Sequence, residues 1–186
     1  MKRQTVFLTI CVFALSVFAL AQKDKSQRPS QPASAECKFA GGKTIKTDYS
    51  TPHVKDPKTG EVRKMLGGHE PYGQVWRTGA NEATTFVTDT DLTVNGKDVP
   101  AGSYTIFTIP NPDKWTLIIN KKTGEWGTPY KKEYESDELA RLDMQVSKVA
   151  AAVENFTIAF DQEGGNCTMR LDWENTRASI QFAEKK

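Results

Sequence analysis

The densest group of chemically capable side chains lies in one short segment of the first half of the chain. Tyr72 and Trp76 are large aromatic groups, Arg77 carries a planar cationic fork, and Asn81 and Glu82 follow two small residues. A guanidinium can grip a carboxylate or phosphate through parallel hydrogen bonds. The segment therefore predicts a pocket in which Arg77 binds an anionic group, Asn81 adds hydrogen bonds and an aromatic ring forms a wall. The alternative is structural, with Trp76 in the core and Arg77 paired to Glu82 or to a buried carbonyl.

A second aromatic group is centred on Trp126, with Tyr130 and Tyr134 following in a segment rich in Lys and Glu. Exposed flat rings are a common way to hold the apolar face of a sugar. The alternative is that Trp126 anchors a long loop to the core. A binding role is favoured if Trp126 and Trp76 lie at the same end of the domain.

His53 and His69, the only two histidines of the chain, are weak candidates for metal ligands. They could act together with Glu70, Asp48 or Asp56, because imidazole and carboxylate are common ligands. Neither histidine has the spacing of a known metal motif, and both lie in segments typical of loops. Two exposed loop histidines are the simpler interpretation, and the sequence predicts neither a metal site nor a cofactor.

Signatures of covalent catalysis are absent, because the chain has no G-x-S-x-G elbow and no S-x-x-K motif. It has no glycine-rich phosphate loop either. A carboxylate pair, Glu82 with Glu70 or Glu174, is the remaining route to hydrolysis. The sequence therefore favours a binding module for a small anionic or carbohydrate-like ligand or for a cell-envelope partner. A carboxylate- or metal-dependent envelope hydrolase and a purely structural or assembly protein are the alternatives.

Residues 1–21 have the features of a secretory signal peptide. Lys2 and Arg3 precede an apolar run over residues 5–20, and small residues offer a cleavage site before Gln22. The run is too short to favour a membrane span. We expect an exported protein, periplasmic or extracellular, with no membrane span after cleavage.

Cleavage would change the charge and length of the chain in a simple way. Removal of 21 residues from 186 leaves 165, and takes two of the 25 basic residues but none of the 23 acidic ones. The mature chain is then formally neutral, so no nucleic-acid partner is predicted. Its length suits one domain.

Two of the three cysteines are candidates for a disulfide. Cys11 lies in the signal segment, where bulky Ile10 disfavours a lipoprotein site. Cys37 and Cys167 remain, and an exported pair in an oxidising compartment commonly forms a disulfide. Two buried free thiols are the alternative.

The remaining chain has the pattern of antiparallel strands. Residues 22–36 are polar and contain two prolines, which predicts a flexible leader before a domain over residues 37–186. Apolar side chains then alternate with period two, and Asn95-Gly96 indicates a hairpin. Strands are predicted over residues 44–50, 84–88, 92–94, 97–99, 103–109, 115–120 and 139–149, and around residues 156–160, 167–173 and 178–182. The series from residue 84 to 120 reads as a meander. Short strands without crossover helices predict an all-β, single antiparallel β-sandwich, with a flattened β-barrel as the alternative.

Two longer motifs carry a family resemblance. Residues 72–84 read Tyr-Gly-Gln-Val-Trp-Arg-Thr-Gly-Ala-Asn-Glu-Ala-Thr, and residues 101–110 read Ala-Gly-Ser-Tyr-Thr-Ile-Phe-Thr-Ile-Pro. Together with Trp115, the Trp126-Gly127 pair and the Trp173-Glu174 pair, they resemble a family of secreted bacterial proteins known as a domain of unknown function. The chain differs from that family at His69-Glu70, where the relatives tend to carry an apolar pair. The resemblance implies no particular activity.

Overall fold

The computed structural model describes residues 25–185, so the predicted signal peptide lies outside the described residues. Two short 3-10 helices cover Lys25–Gln27 and Lys132–Asp137. The strands are β1 (Pro32–Lys38), β2 (Thr44–Ser50), β3 (Thr84–Thr88), β4 (Leu92–Val94), β5 (Lys97–Val99), β6 (Gly102–Ile109), β7 (Lys114–Asn120), β8 (Glu138–Glu163) and β9 (Asn166–Glu184).

All nine strands form one antiparallel sheet in the order β1-β2-β3-β6-β7-β8-β9-β4-β5. The sheet folds over on itself, so that Phe86 of β3 packs on Phe182 of β9 with ring centroids 5.2 Å apart. Within residues 25–185, the two ends of this order, β1 and β5, do not pair, and the sheet is not closed into a barrel. The predicted sandwich is confirmed, and the flattened-barrel alternative is wrong.

The two last strands are longer than the sequence pattern predicted. β8 spans 26 residues and β9 spans 19, so each joins two runs that were predicted separately. The register of β8 against β9 shifts between Lys148 and Val153 and again between Val153 and Thr157. Bulges of this kind bend a strand without ending it, and they interrupt the alternation of side chains. The alternation of apolar side chains is therefore interrupted at these bulges, although the strand itself continues.

The hairpin β4–β5 turns at Asn95 and Gly96 as predicted, with φ of 46° and 74°. The predicted meander is wrong at this hairpin, because β3 pairs directly with β6 and β4 pairs with β9. Leu92 lies opposite Glu184 at the far edge of the sheet. The hairpin lies beside the end of β9 because its side chains Leu92 and Val94 are buried in the core there.

Strand β1 begins inside the segment that the sequence assigned to the flexible leader. It pairs with β2 from Pro32 opposite Ser50 to Lys38 opposite Thr44. Its inward positions are small, with partly buried alanines at 33 and 35 packed on the core. Small and polar residues make this alternation hard to see, which is why residues 32–36 read as leader.

The predicted disulfide between Cys37 and Cys167 is present, with Cα atoms 6.1 Å apart and a sequence separation of 130. It connects β1 to β9, and Cys167 is fully buried. No helix among residues 25–185 is long and apolar enough to cross a membrane.

Candidate functional site

A tight turn after Trp76 sets the direction of the predicted binding segment. Trp76 pairs with Thr108 of β6 through backbone hydrogen bonds of 2.7 and 2.9 Å. The chain then turns through Thr78 and Asn81, with φ of 58° and 60°, and the indole N–H of Trp76 donates to the carbonyl of Gly79 at 3.1 Å. Trp76 is buried in the core, whereas the next side chain, Arg77, emerges half-buried at the surface.

Beside this turn lies a cleft of about 230 Å³. Its walls come from the N-terminal segment near residue 30 and from the long loop between β2 and β3, which includes the turn at residues 77–81. Two arginines, two histidines and one carboxyl group line it. The polar lining side chains are Ser30, His53, Arg63, His69, Glu70, Arg77 and Asn81.

Glu70 is the acidic group of this cleft and has no direct partner in the described part of the chain. Its half-buried carboxyl group makes no hydrogen bond and no ion pair with any part of residues 25–185. Burial raises the pKa of Glu70 to about 7, although the nearby positive charge of Arg77 lowers it. A carboxyl group in a cleft with such a perturbed pKa is a typical functional-site candidate.

Arg77 faces the same cleft with part of its guanidinium unoccupied. Its Nη1 donates to the carbonyl of Asn81 and, at 3.2 Å, to that of Trp126. The guanidinium carbon lies 5.4 Å from the centre of the Trp126 ring, a cation–π contact. Burial lowers the pKa of Arg77, and Glu70 opposes that shift. Its Nε and Nη2 donate to no group in the described part of the chain, so they remain available to a ligand.

The two histidines line the cleft in different ways. Both ring nitrogens of His53 are engaged: Nδ1 lies 2.6 Å from the side-chain oxygen of Asn155, and Nε2 lies 2.7 Å from the carbonyl of Pro29. His69 is exposed. Over residues 25–185, no three His, Cys, Asp or Glu side chains are grouped closely enough to hold a metal ion. The histidines therefore share a cleft without forming a metal centre with Glu70.

Glu82 lies outside the cleft and faces the N-terminal segment. Its carboxylate is 2.6 Å from a guanidinium nitrogen of Arg28 and 3.6 Å from the ammonium group of Lys25. The hydrogen bond from Arg28 is the main reason that the pKa of Glu82 falls to about 2. Its partners are therefore Arg28 and Lys25. The structural alternative is wrong in pairing Arg77 with Glu82, but Arg77 does donate to backbone carbonyls, the other pairing that this alternative allowed.

The N-terminal segment forms one side of the cleft. The side-chain amide of Asn81 donates to the carbonyl of Ser30 at 3.1 Å, and the backbone N–H of Thr51 donates to that of Gln31 at 2.9 Å. The ring of His53 reaches the carbonyl of Pro29 in the same stretch. Residues expected to be a free leader are therefore part of the candidate site.

The three aromatic residues of the predicted ligand-binding set, Tyr72, Trp76 and Trp126, do not line the cleft. Trp76 is a core residue, 3% exposed, as the structural alternative proposed. Tyr72 packs over Gly67, and Trp126 is 53% exposed but contacts Arg77 from outside the cleft. Of the six predicted ligand-binding residues, the structure brings Arg77 and Asn81 into the cleft.

Glu174 supports the cleft from a distant strand. Its carboxylate accepts hydrogen bonds from the backbone N–H groups of Met65 and Leu66, at 2.9 and 3.0 Å. The loop then closes on itself, because the N–H of Glu70 donates to the carbonyl of Met65 at 2.8 Å. Glu174 therefore positions the loop that carries Glu70. In the sequence, Glu174 was a candidate only as the second acid of a carboxylate pair. Its distance along the chain from Met65 and Leu66 gave no indication of these hydrogen bonds.

The fold and the site define the chain as an all-β sandwich protein with a small charged cleft at one end of its long β2–β3 loop. The model of a family described as protein of unknown function (DUF2911) matches residues 30–182, and the chain belongs to that family. The match includes every polar lining residue of the cleft. Searches of curated proteins and of solved structures find no match.

Proposed function

We propose that this protein binds a small ligand through an anionic group at Arg77, in the cleft between the N-terminal segment, the β2–β3 loop and residues 77–81. The observation that carries the proposal is the guanidinium of Arg77, which lines the cleft and whose Nε and Nη2 donate to no group within residues 25–185. A guanidinium fork binds carboxylate and phosphate groups with two directed hydrogen bonds.

The size and lining of the cleft support a small, hydrophilic ligand. Its volume of about 230 Å³ lies below the range of roughly 300–1,000 Å³ that is typical of sites for drug-sized molecules. The charged and polar groups of the lining match a ligand with several hydrogen-bonding groups, such as a small acid or a sugar acid.

The proposed place of action is outside the cytoplasm. The Cys37–Cys167 disulfide supports this location, because disulfides persist in oxidising compartments. An envelope partner, as distinct from a small molecule, remains the competing form of the binding hypothesis.

Hydrolysis by a carboxylate pair has less support. Glu70 is the one acid that lines the cleft, and Glu82 and Glu174 are engaged with Arg28 and with backbone amides. The two-acid arrangement that glycoside hydrolysis uses is therefore not assembled in this cleft.

Calorimetric titration with acetate, phosphate and glucuronate at millimolar concentrations tests the proposal, with glucose as the neutral comparison. We expect at least one anion to bind to the wild-type protein and to lose about tenfold or more in affinity in Arg77→Gln. Arg141→Gln is the control, because Arg141 is an exposed arginine paired to Glu138 on β8. The proposal is wrong if no anion binds, or if both variants bind it equally.

A further inference from the structure

Glu70 and Arg77 face one cleft as opposite charges that do not pair with each other. Each influences the other electrostatically, yet no ion pair or hydrogen bond joins them. Arg63, the other arginine of the lining, is already engaged, since it donates to the carbonyl of His53 at 2.7 Å and lies 3.5 Å from the carboxylate of Asp56. Within residues 25–185, the carboxyl group of Glu70 and the guanidinium of Arg77 are therefore the two such groups of the lining that form no ion pair.

A half-buried carboxylate without a donor is costly, because it has lost water without gaining hydrogen bonds. A ligand can remove that cost by bringing donors of its own. An ammonium group carries three donors and a positive charge, and so complements a carboxylate. The Nε and Nη2 donors of Arg77, in contrast, complement a carboxylate on the ligand.

We propose that the ligand is a small zwitterion, a free α-amino acid, with its ammonium group on Glu70 and its carboxylate on Arg77. This inference rests on the proposed function, since Arg77 is the anion-binding group in both. The small volume of the cleft suits two charges carried on neighbouring carbons. The exposed apolar residue of the lining, Pro57, leaves a surface for a short side chain.

Ligands with one kind of charge fit this lining less well. A dianion such as phosphate would meet Arg77 but would be repelled by an ionised Glu70. A simple amine would meet Glu70 but would lie next to the positive charge of Arg77. A zwitterion satisfies both groups at once, which distinguishes it from other small acids.

Titration with L-alanine, D-alanine, acetate and methylammonium tests the inference at pH 8, where Glu70 is mostly ionised. We expect at least one alanine enantiomer to bind roughly tenfold or more tightly than acetate, because it adds a charge-assisted contact. Methylammonium should not bind measurably. In Glu70→Gln, alanine should weaken to the affinity of acetate, while acetate itself should bind at least as well.

Glu61→Gln is the matched control, because Glu61 is an exposed glutamate of the same loop whose side chain does not line the cleft. It should leave all four affinities unchanged. If acetate binds through Arg77 but neither alanine binds more tightly, the zwitterion is wrong and the proposed anion site stands. If alanine binds equally well to Glu70→Gln, the zwitterion is wrong too. If neither alanine nor acetate binds, the zwitterion is wrong, and the proposed anion site is overturned as well if phosphate and glucuronate also fail to bind.

Discussion

The indole of Trp76 stacks on the indole of Trp173, with ring centroids 5.4 Å apart and ring planes 14° apart. Each tryptophan is followed directly by a residue that serves the cleft. Arg77 lines it, and Glu174 holds the loop that carries Glu70. The buried ring pair thus connects the two segments that place the guanidinium and the carboxyl group in one cleft.

Replacing Glu174 by Ala should loosen the loop that carries Glu70. The N–H groups of Met65 and Leu66 would lose their charged acceptor, at a cost of about 1–3 kcal/mol in the free energy of unfolding. Hydrogen exchange at these two amides should accelerate. Glu163→Ala, an exposed change at the β8–β9 turn, should leave both amides protected. Unchanged exchange in Glu174→Ala would contradict the supporting role.

Gly67→Ala should destabilise the protein more than Gly60→Ala does. Both glycines have φ of 73°, so both substitutions carry the same backbone penalty. A Cβ at Gly67 would lie 2.3 Å from the ring of Tyr72, whereas one at Gly60 meets nothing within 4 Å. The expected difference is about 1–3 kcal/mol in urea unfolding. Tyr72→Ala should remove most of that difference, and equal losses in the two alanine variants would rule out the contact.

Reduction of the Cys37–Cys167 disulfide should destabilise the folded state strongly. With a sequence separation of 130 between the cysteines, the chain-entropy model gives a loss of about 5 kcal/mol. Urea unfolding with and without reductant measures it. A variant with serine at both positions should be weakly stable and insensitive to reductant. A wild-type midpoint that reductant does not move would show that the bond contributes little.

Glu70 should make the protein less stable as the pH rises. Its folded pKa is about 7 against an ordinary value of 4.5, so the folded state holds the proton more tightly. Stability from this group is complete below pH 4.5 and is lost as the pH rises through 7. Allowing for solvent screening, the loss is on the order of 1–2 kcal/mol. Glu70→Gln should flatten this part of the pH–stability curve relative to the wild type, and parallel curves would contradict the assignment.

Glu82→Gln should release the N-terminal segment without unfolding the sheet. The carboxylate is 41% exposed and bound to Arg28, so its loss should cost at most about 1 kcal/mol. Because the folded pKa is about 2, this contribution is present above pH 4.5 and is lost as the pH falls towards 2. Hydrogen exchange of residues 28–31 at neutral pH should accelerate in Glu82→Gln and stay unchanged in Glu163→Gln. Equal exchange in both variants would show that Arg28 does not anchor the segment.

Local patterns were enough to predict most strands of the sandwich. The bounds of β2 to β5 follow directly from alternating side chains and from the Asn95-Gly96 turn. Local patterns fail to predict β1, because its inward residues are small, and the full length of β8, because its bulges interrupt the alternation. The pairing of the β4–β5 hairpin with β9 could not be predicted from local patterns either. It depends on which part of a core distant in sequence is left uncovered by the other strands.

The sequence by itself determined which side chains were capable of chemistry, since residue type alone gives Arg77 a cationic fork and makes Cys37 and Cys167 candidates for a disulfide. Only the tertiary structure decided which of them meet. Trp76 went to the core because its ring is apolar and finds Trp173 there. Glu70 lines the cleft because Glu174, more than 100 positions away, accepts a hydrogen bond from the loop that carries it. Such long-range contacts leave no local trace, because they arise only when the sheet folds over on itself.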